Sequence, residues 1–556
     1  LDAFNGNAQI TMKIALSQIN PTVGYCASNV KKILQAAEKA RAAGCDLVVL
    51  PELAVCGYPP GDLLERRDFI EKNLAALDEV RKAATAIAII CGHLAPNPAD
   101  SGNPLFNAAS LLMDGKVVAS IFKQLLPTYD VFDERRFFSP GPPAKPLMIK
   151  GHAIGLTICE DAWNDKDMFK RRIYETDPVE QLAAAGAECI INISASPFHV
   201  EKAAFRERML SAMAEKYGLP VVFVNQVGGN DSLVFDGVST AYDTSGRPVV
   251  RGAEFEEDHV IFDTAQKGSL PPIQIDPIES ALKALITGVR DYARKCGFRS
   301  GIVGLSGGVD SALTLVVAAE ALGPENMTAV FMPSPYTSKD NFEDTKQLAE
   351  NLNIHMDVIP IGAMFGSFLN SMPAVCIPGG VGVTEQNIQA RIRGTILMAY
   401  ANKTNSLVLS TGNKSELSVG YCTLYGDMNG GLAVIADVWK TDVYRICEHI
   451  NREKEIIPVR ILEKAPSAEL KPGQKDQDDL PPYADLDAIL EAFIEEFKSI
   501  PEIVGMGYER PLVEDVVRRV IQNEYKRYQA PPCIKVSAKA FGIGRRYPLA
   551  HRFRPA

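Results

Sequence analysis

At 556 residues the chain is too long for one hydrophobic core, so two domains are expected and a third is possible in size. Its 46% hydrophobic and 23% charged residues are those of an ordinary globular protein, and a net charge of −10 leaves no electrostatic footprint for nucleic acid. No apolar run approaches the ~20 residues that span a bilayer, and no signal-peptide pattern opens the chain. The eleven cysteines stand singly, so neither a zinc site nor a disulfide framework is expected, and a cytoplasmic enzyme is the default. Residues 1–11 lack periodicity and read as an addition ahead of a natural start at Met12.

Met12 to Gln18 reads as a strand, Ala27 to Ala43 as an amphipathic helix, and Asp46 to Leu50 as a second strand that ends in Pro51-Glu52-Leu53. Ala86 to Leu94 continues the βα alternation, followed by a hairpin with Asp114-Gly115 at its tip. Val117 to Phe122 delivers Lys123, and Ala153 to Ile158 delivers Cys159-Glu160-Asp161. Cys189 to Ser194 and Val221 to Gln226 are further buried strands. The alternation argues an α/β fold with its chemistry at strand ends.

Glu52, Lys123 and Cys159 each stand directly after such a strand. A thiol attacks well only as thiolate, and its ordinary pKa is about 8.5. A nearby ammonium favours the thiolate and a developing oxyanion, while a carboxylate can take the thiol proton and return it to a departing amine. The three types together suffice for acyl transfer from an amide without histidine. Singly, each has a bland reading as a core thiol or a solvated charge. Their contexts are LVVLPELAVCGYPPGDLL, FKQLLPTYDVFDERRFF and GLTICEDAW, and SLVFDGVSTAYDTSGRPVV follows later. Met12 to Asp263 thereby resembles the glutaminase branch of the nitrilase (carbon–nitrogen hydrolase) superfamily. The resemblance implies Cys159 as nucleophile, Glu52 as general base and Lys123 as oxyanion stabiliser, with Glu134 as the superfamily's second glutamate. It also implies Tyr129, Ser196 and Lys202 as glutamine contacts.

Between Thr264 and Pro277 the chain turns Gly/Pro/Gln-rich and loses periodicity, which marks a domain boundary. The expected division is 12–266, a linker at 267–280, and 281–556. A helix from Pro277 to Cys296 leads to the strand Gly301–Leu305, the turn Ser306-Gly307-Gly308-Val309-Asp310-Ser311, and a helix from Ala312 to Ala321. A Ser-Gly-Gly turn between strand and helix bares backbone N–H groups at a positive helix end, which suits an anion. Strands are expected at Met327 to Met332, Met356 to Ile361 and Ser406 to Ser410, with helices from Lys339 to Leu352 and from Thr384 to Ala401. A Gly-rich loop, Pro378-Gly379-Gly380-Val381-Gly382, precedes the second helix. This pattern indicates a doubly wound, mostly parallel sheet whose rim carries 306–311, 333–338 and 411–416.

The turn resembles the pyrophosphate loop of the ATP pyrophosphatases rather than the Gly-x-x-x-x-Gly-Lys P-loop. TEQNIQARIRG, LSTGNKSELSVGYCTLYGDMNGG and the tail NEYKRYQAPPCIKVSAKAFGIGRRYPLAHRF resemble the NAD synthetases. The resemblance implies an ATP site at Gly304, Leu305, Ser306, Gly307, Gly308, Val309, Asp310, Ser311 and Thr411, and deamido-NAD contacts at Asn387, Glu416 and Lys526. Hard oxygen ligands are needed for a magnesium ion on the phosphates, for which Asp310 and Glu416 are the candidates. Arg391, Arg393, Lys535, Arg545 and Arg546 are candidate phosphate-facing cations. The proline-rich stretch Ala465 to Tyr483 reads equally as a passive loop or as a lid over the site.

The two halves together resemble the glutamine-dependent NAD synthetases. The implied architecture is α/β: an N-terminal nitrilase-like α-β-β-α sandwich, then a C-terminal doubly wound, mostly parallel sheet of the ATP-pyrophosphatase type. Implied partners are glutamine, ATP and deamido-NAD, with neither nucleic acid nor membrane, in a homo-oligomer. An enclosed path for ammonia is expected, though no residue identifies it. Amidation of another acid, or a catalytically dead first half, stays open at this point.

Overall fold

The computed structural model describes residues 11–376, 382–553 and 555, so of the expected Gly-rich loop at 378–382 only Gly382 falls within it, and residues 1–10 lie outside the described residues. The chain divides into two compact units. One takes in the described residues of Leu1–Asn230 and Val234–Ile275, the other those of Asp231–Leu233 and Asp276–Ala556.

The first unit is built on two six-stranded sheets. One has the order Asp258–Asp263, Lys13–Gln18, Leu47–Val49, Ala88–Pro96, Leu105–Met113, Lys116–Phe122. The other has the order Pro248–Arg251, Thr240–Tyr242, Val221–Asn225, Cys189–Ser194, His152–Ile158, Leu147–Ile149. Alternate residues of both sheets meet in one core, with Ile14, Leu16, Val49 and Ile90 from the first and Leu156, Ile158, Ile191 and Val224 from the second. This is the period-2 rule for packed sheets. The residues between them face helices: Ile190, Val221 and Phe223 pack with Val179, Leu182, Met209 and Met213 of Pro178–Ala184 and Lys202–Tyr217. The layers are helix, sheet, sheet, helix. The hairpin turns at Asp114 and Gly115, whose φ values of 52° and 70° are those of the tight primed turn that Asp-Gly favours.

The second unit opens on the helix Pro277–Cys296, where the Asp276 side chain caps the Ile278 amide at 2.9 Å and proline fills the first helical position. Its sheet has the order His355–Val358, Met327–Phe331, Gly301–Leu305, Leu407–Ser410, Leu432–Ala433, and every neighbouring pair is parallel. The chain fills one side of Gly301–Leu305 and then crosses to the other. The loop at 306–311 therefore leaves the sheet at its topological switch point, where open α/β sheets bind ligands. Val309–Leu322 is buried along most of its length beneath Pro277–Cys296 and Lys440–Ile450, while Val383–Thr404 covers the other face through Ile388 and Ile392.

Gly92 lets the strand Ala88–Pro96 run against the segment that carries Glu52. A Cβ at Gly92 would stand 2.3 Å from the Leu53 nitrogen and 2.7 Å from Glu52 Cα, too close for any side chain. Gly92→Ala is expected to destabilise the first unit by about 2 kcal/mol, a drop of roughly 4–8 °C in its melting transition. A variant that melts with the wild type would show that the contact relaxes freely.

Candidate active site

The first unit brings three strand ends together. Leu47–Val49 leads to Glu52, Lys116–Phe122 to Lys123, and His152–Ile158 to Cys159, and all three side chains are buried. Lys123 Nζ lies 2.8 Å from Glu52 Oε1 and 2.7 Å from Glu134 Oε1. Asn107 Nδ2 donates to Glu52 Oε1 at 2.7 Å and the Ala195 amide to Glu52 Oε2 at 2.8 Å, which fixes the carboxylate in place. The Tyr58 hydroxyl donates to Glu134 Oε1 at 3.0 Å, while Glu134 Oε2 has no partner among the described residues. Burial works against the Lys123 ammonium, but the charges of Glu134 and Glu52 outweigh it and hold its pKa well above the ordinary value. Burial and the charge of Glu52 push the Cys159 thiol up, with Lys123 opposing them, so the sulfur rests protonated.

Cys159 has φ +46°, left-handed backbone that costs a non-glycine residue about 1 kcal/mol. Its carbonyl accepts from Asn192 Nδ2 at 3.2 Å. Asp161 then ties two segments together: Oδ1 accepts the amides of Gln124 at 3.0 Å and Leu125 at 2.9 Å, and Oδ2 that of Ile158 at 3.1 Å. One carboxylate thus sets the residues beside both Lys123 and Cys159.

Next to Cys159, Glu160 is 4% exposed. Tyr129 donates to its Oε1 at 2.9 Å and Tyr174 to the same oxygen at 3.1 Å, and burial raises its pKa. Sequence reading passed over Glu160 and Tyr174, since nothing in CEDAW distinguishes a buried glutamate from a solvated one. Ser196 is buried with its amide on Asn225 Oδ1 at 2.9 Å; Lys202 donates to the Pro197 carbonyl at 2.7 Å and stands 5.5 Å from the Trp163 ring centroid.

In the second unit a cavity of about 530 Å³ opens on the switch-point loop. Gly304, Leu305, Ser306, Gly307, Gly308, Val309, Asp310, Ser311, Thr411, Asn387, Glu416 and Lys526 all line it. Gly307 has φ +85°, and no side chain caps the first amides of Val309–Leu322. Lys440 stands between Asp310, to which it donates, and Glu416 Oε1 at 3.8 Å. Burial and the charge of Asp310 push Glu416 well above the carboxylate range, with Lys440 opposing them. Lys526 donates to the carbonyls of Gly420 and Cys422 at 2.7 and 2.9 Å, and Thr423 donates to Asn387 Oδ1 at 2.8 Å.

Of the expected phosphate-facing cations only Arg393 lines the cavity. Arg391 is exposed, with Nε on the Leu424 carbonyl. Lys535 is buried on the carbonyls of Ser537 and Ala538, Arg545 pairs with Glu524 at 3.4 Å over the Tyr547 ring, and Arg546 lies elsewhere. A basic residue in a tail gives no sign of whether the fold will use its charge internally. Residues 465–470 of the proline-rich stretch line the cavity, as do Gln474, Asp476 and Asp479.

The carbon–nitrogen hydrolase family model matches residues 13–268 and the NAD synthase model residues 281–530. The glutamine-dependent NAD(+) synthetase of Synechocystis sp. is 45% identical, over 98% of this chain and 99% of its own. That of Thermotoga maritima is 42% identical over the same shares. The solved glutamine-dependent NAD+ synthetase of Acinetobacter baumannii, in complex with adenosine diphosphate, superposes with TM-score 0.77 at 36% identity, covering 97% of this chain and 98% of that one. With relatives this similar along its whole length, the chain belongs to the glutamine-dependent NAD(+) synthetase family.

Proposed function

We propose that the chain makes NAD+ in two half-reactions, hydrolysing glutamine at Cys159 and amidating adenylated deamido-NAD at the 306–311 loop. The observation that carries the reading is the full-length relation to glutamine-dependent NAD(+) synthetases, in a chain that builds a complete Cys-Lys-Glu set and a pyrophosphate-loop cavity.

In the first half-reaction Glu52 takes the Cys159 proton as sulfur attacks the glutamine amide carbon. Lys123, kept protonated by its two glutamates, stabilises the oxyanion as a fixed positive charge and gives up no proton. Glu134 Oε2, which has no partner among the described residues, accepts from the scissile amide nitrogen. Glu52 returns its proton to nitrogen, ammonia leaves, and water activated by Glu52 cleaves the thioester to release glutamate. Tyr129, Glu160, Ser196 and Lys202 bind the amino-acid end, with Glu160 supplying a buried carboxylate for its ammonium.

In the second, a nicotinate carboxylate oxygen of deamido-NAD attacks the α-phosphorus of ATP and pyrophosphate departs. Ammonia then attacks the acyl carbon and AMP leaves. The amides of the 306–311 loop and Lys440 bind phosphate oxygens; Thr411 contacts ATP, and Asn387, Glu416 and Lys526 contact deamido-NAD. Asp310 and Glu416 fit a magnesium ion: they are hard oxygen donors whose mutual repulsion Lys440 and the hydrogen bonds from Asn413 offset. Bound there, magnesium would neutralise charge on the polyphosphate. A cytoplasmic setting is supported by cysteines that are all free thiols, and a homo-oligomer by the exposed Met364, Phe368, Val383 and Met398 on the helices Gly362–Ser371 and Val383–Thr404.

NAD formation from deamido-NAD, ATP and magnesium tests the reading. Product is expected with glutamine and with ammonium, and Cys159→Ala should lose at least about 10³-fold of the glutamine reaction while keeping the ammonium one. No product from either nitrogen source sinks the proposal. Glu134→Gln should lower glutamine turnover by about 10²-fold, again sparing ammonium, because Lys123 loses one of its two anchors; unchanged turnover would remove Glu134 from the site.

A further inference from the structure

Beside the pyrophosphate loop, Lys464, Asn341 and Glu469 close on one another. Lys464 Nζ donates to Glu469 Oε1 at 2.6 Å and to Asn341 Oδ1 at 2.5 Å, and Asn341 Nδ2 donates to Glu469 Oε2 at 2.5 Å. Asn341 is buried and leans on the loop itself: a Cβ at Gly307 would stand 2.7 Å from Asn341 Cγ. All three residues line the loop's cavity. The charge of Glu469 also reaches Arg393, a further cation of the same wall. Glu469 has φ +45°, left-handed backbone that a glutamate keeps only where its contacts compensate.

A carboxylate with a donor on each oxygen presents what a phosphate presents through two of its non-bridging oxygens. We infer that Lys464 and Asn341 belong to the polyphosphate site, and that Glu469 occupies them as an internal anion which incoming ATP displaces. The inference rests on the ATP-dependent reading above. The exchange is local to one side chain, because the backbone on either side has its own ties: the Glu469 amide donates to Ser467 Oγ at 3.1 Å, and beyond it Gln389 Nε2 donates to the Leu470 carbonyl at 2.9 Å and the Leu470 amide to Gln474 Oε1 at 2.9 Å. Removing the carboxylate therefore removes a competitor, whereas removing Lys464 removes a ligand.

Titration calorimetry of the full chain with ATP, and separately with AMP, reads both. Glu469→Gln is expected to tighten ATP binding by about 3–10-fold and Lys464→Met to weaken it by at least about 10-fold, while AMP affinity stays within about twofold in each. Glu469→Ala, which leaves no side-chain oxygen, should reproduce the gain of Glu469→Gln. ATP binding that is unchanged or weaker in both Glu469 variants overturns the inference, because the carboxylate is then a fastening of the segment rather than a stand-in. Equal shifts for ATP and AMP overturn it too. Failure of the wild type to bind ATP at all would instead count against the proposed function.

Discussion

A fully buried ammonium is among the least tolerable groups in a protein unless negative charge surrounds it, and Lys123 sits between two carboxylates. Removing one partner of such a pair leaves an uncompensated charge at a cost of about 3–5 kcal/mol. The first unit is arranged to prevent that. Glu52 and Lys123 follow strands of one sheet, and Asn107, Ala195 and Tyr58 direct hydrogen bonds at the carboxylates so that both face the ammonium. Burial first, and then the charge of Glu52, keep the nearby thiol neutral at rest, with Lys123 opposing both. On the proposed function its proton moves only when a substrate carbonyl offers the new negative charge a place beside Lys123.

The second unit repeats the motif with a different balance. Lys440 also stands between two carboxylates, Asp310 and Glu416, but these side chains are 17% and 18% exposed at the edge of a cavity, against 0% and 5% for Glu52 and Glu134. On the proposed function, a sealed carboxylate pair serves the thiol, whereas a pair facing a cavity would hold a cation carried in with a nucleotide. The same three charges thus serve two chemistries, and enclosure decides which.

Much of this was legible in the chain. The β-branched runs located the buried strands before Glu52, Cys159 and Ser306 and the largely exposed one before Lys123. Asp114-Gly115 specified its own hairpin. Strand ends moved by a residue or two, as Asp46 to Leu50 shrank to Leu47–Val49, because pairing register rather than propensity ends a strand. What stayed hidden depends on distant partners. Asp161 reaches back 37 residues to Gln124, and Lys440 meets Asp310 from 130 residues away. No local pattern encodes those meetings. Lys535 and Arg545 do not line the second unit's cavity for the same reason: a cation's sequence context does not reveal the carbonyls and carboxylates that will engage it.

Asp161 has a mechanical meaning as well. A single carboxylate grips the backbone just after Lys123 and just before Cys159, so neither can shift without dragging the other. The main chain at Gln124, Leu125 and Ile158 is thereby held as one body around that carboxylate, the body that carries the proposed nucleophile and the proposed oxyanion stabiliser. Whatever yields to admit and release substrate in the first unit must lie outside that body. Its natural location is among the side chains that reach Glu160 from the surface, where Tyr129 is 41% exposed. Geometry at the reacting atoms is conserved by construction, and adaptability is left to the periphery.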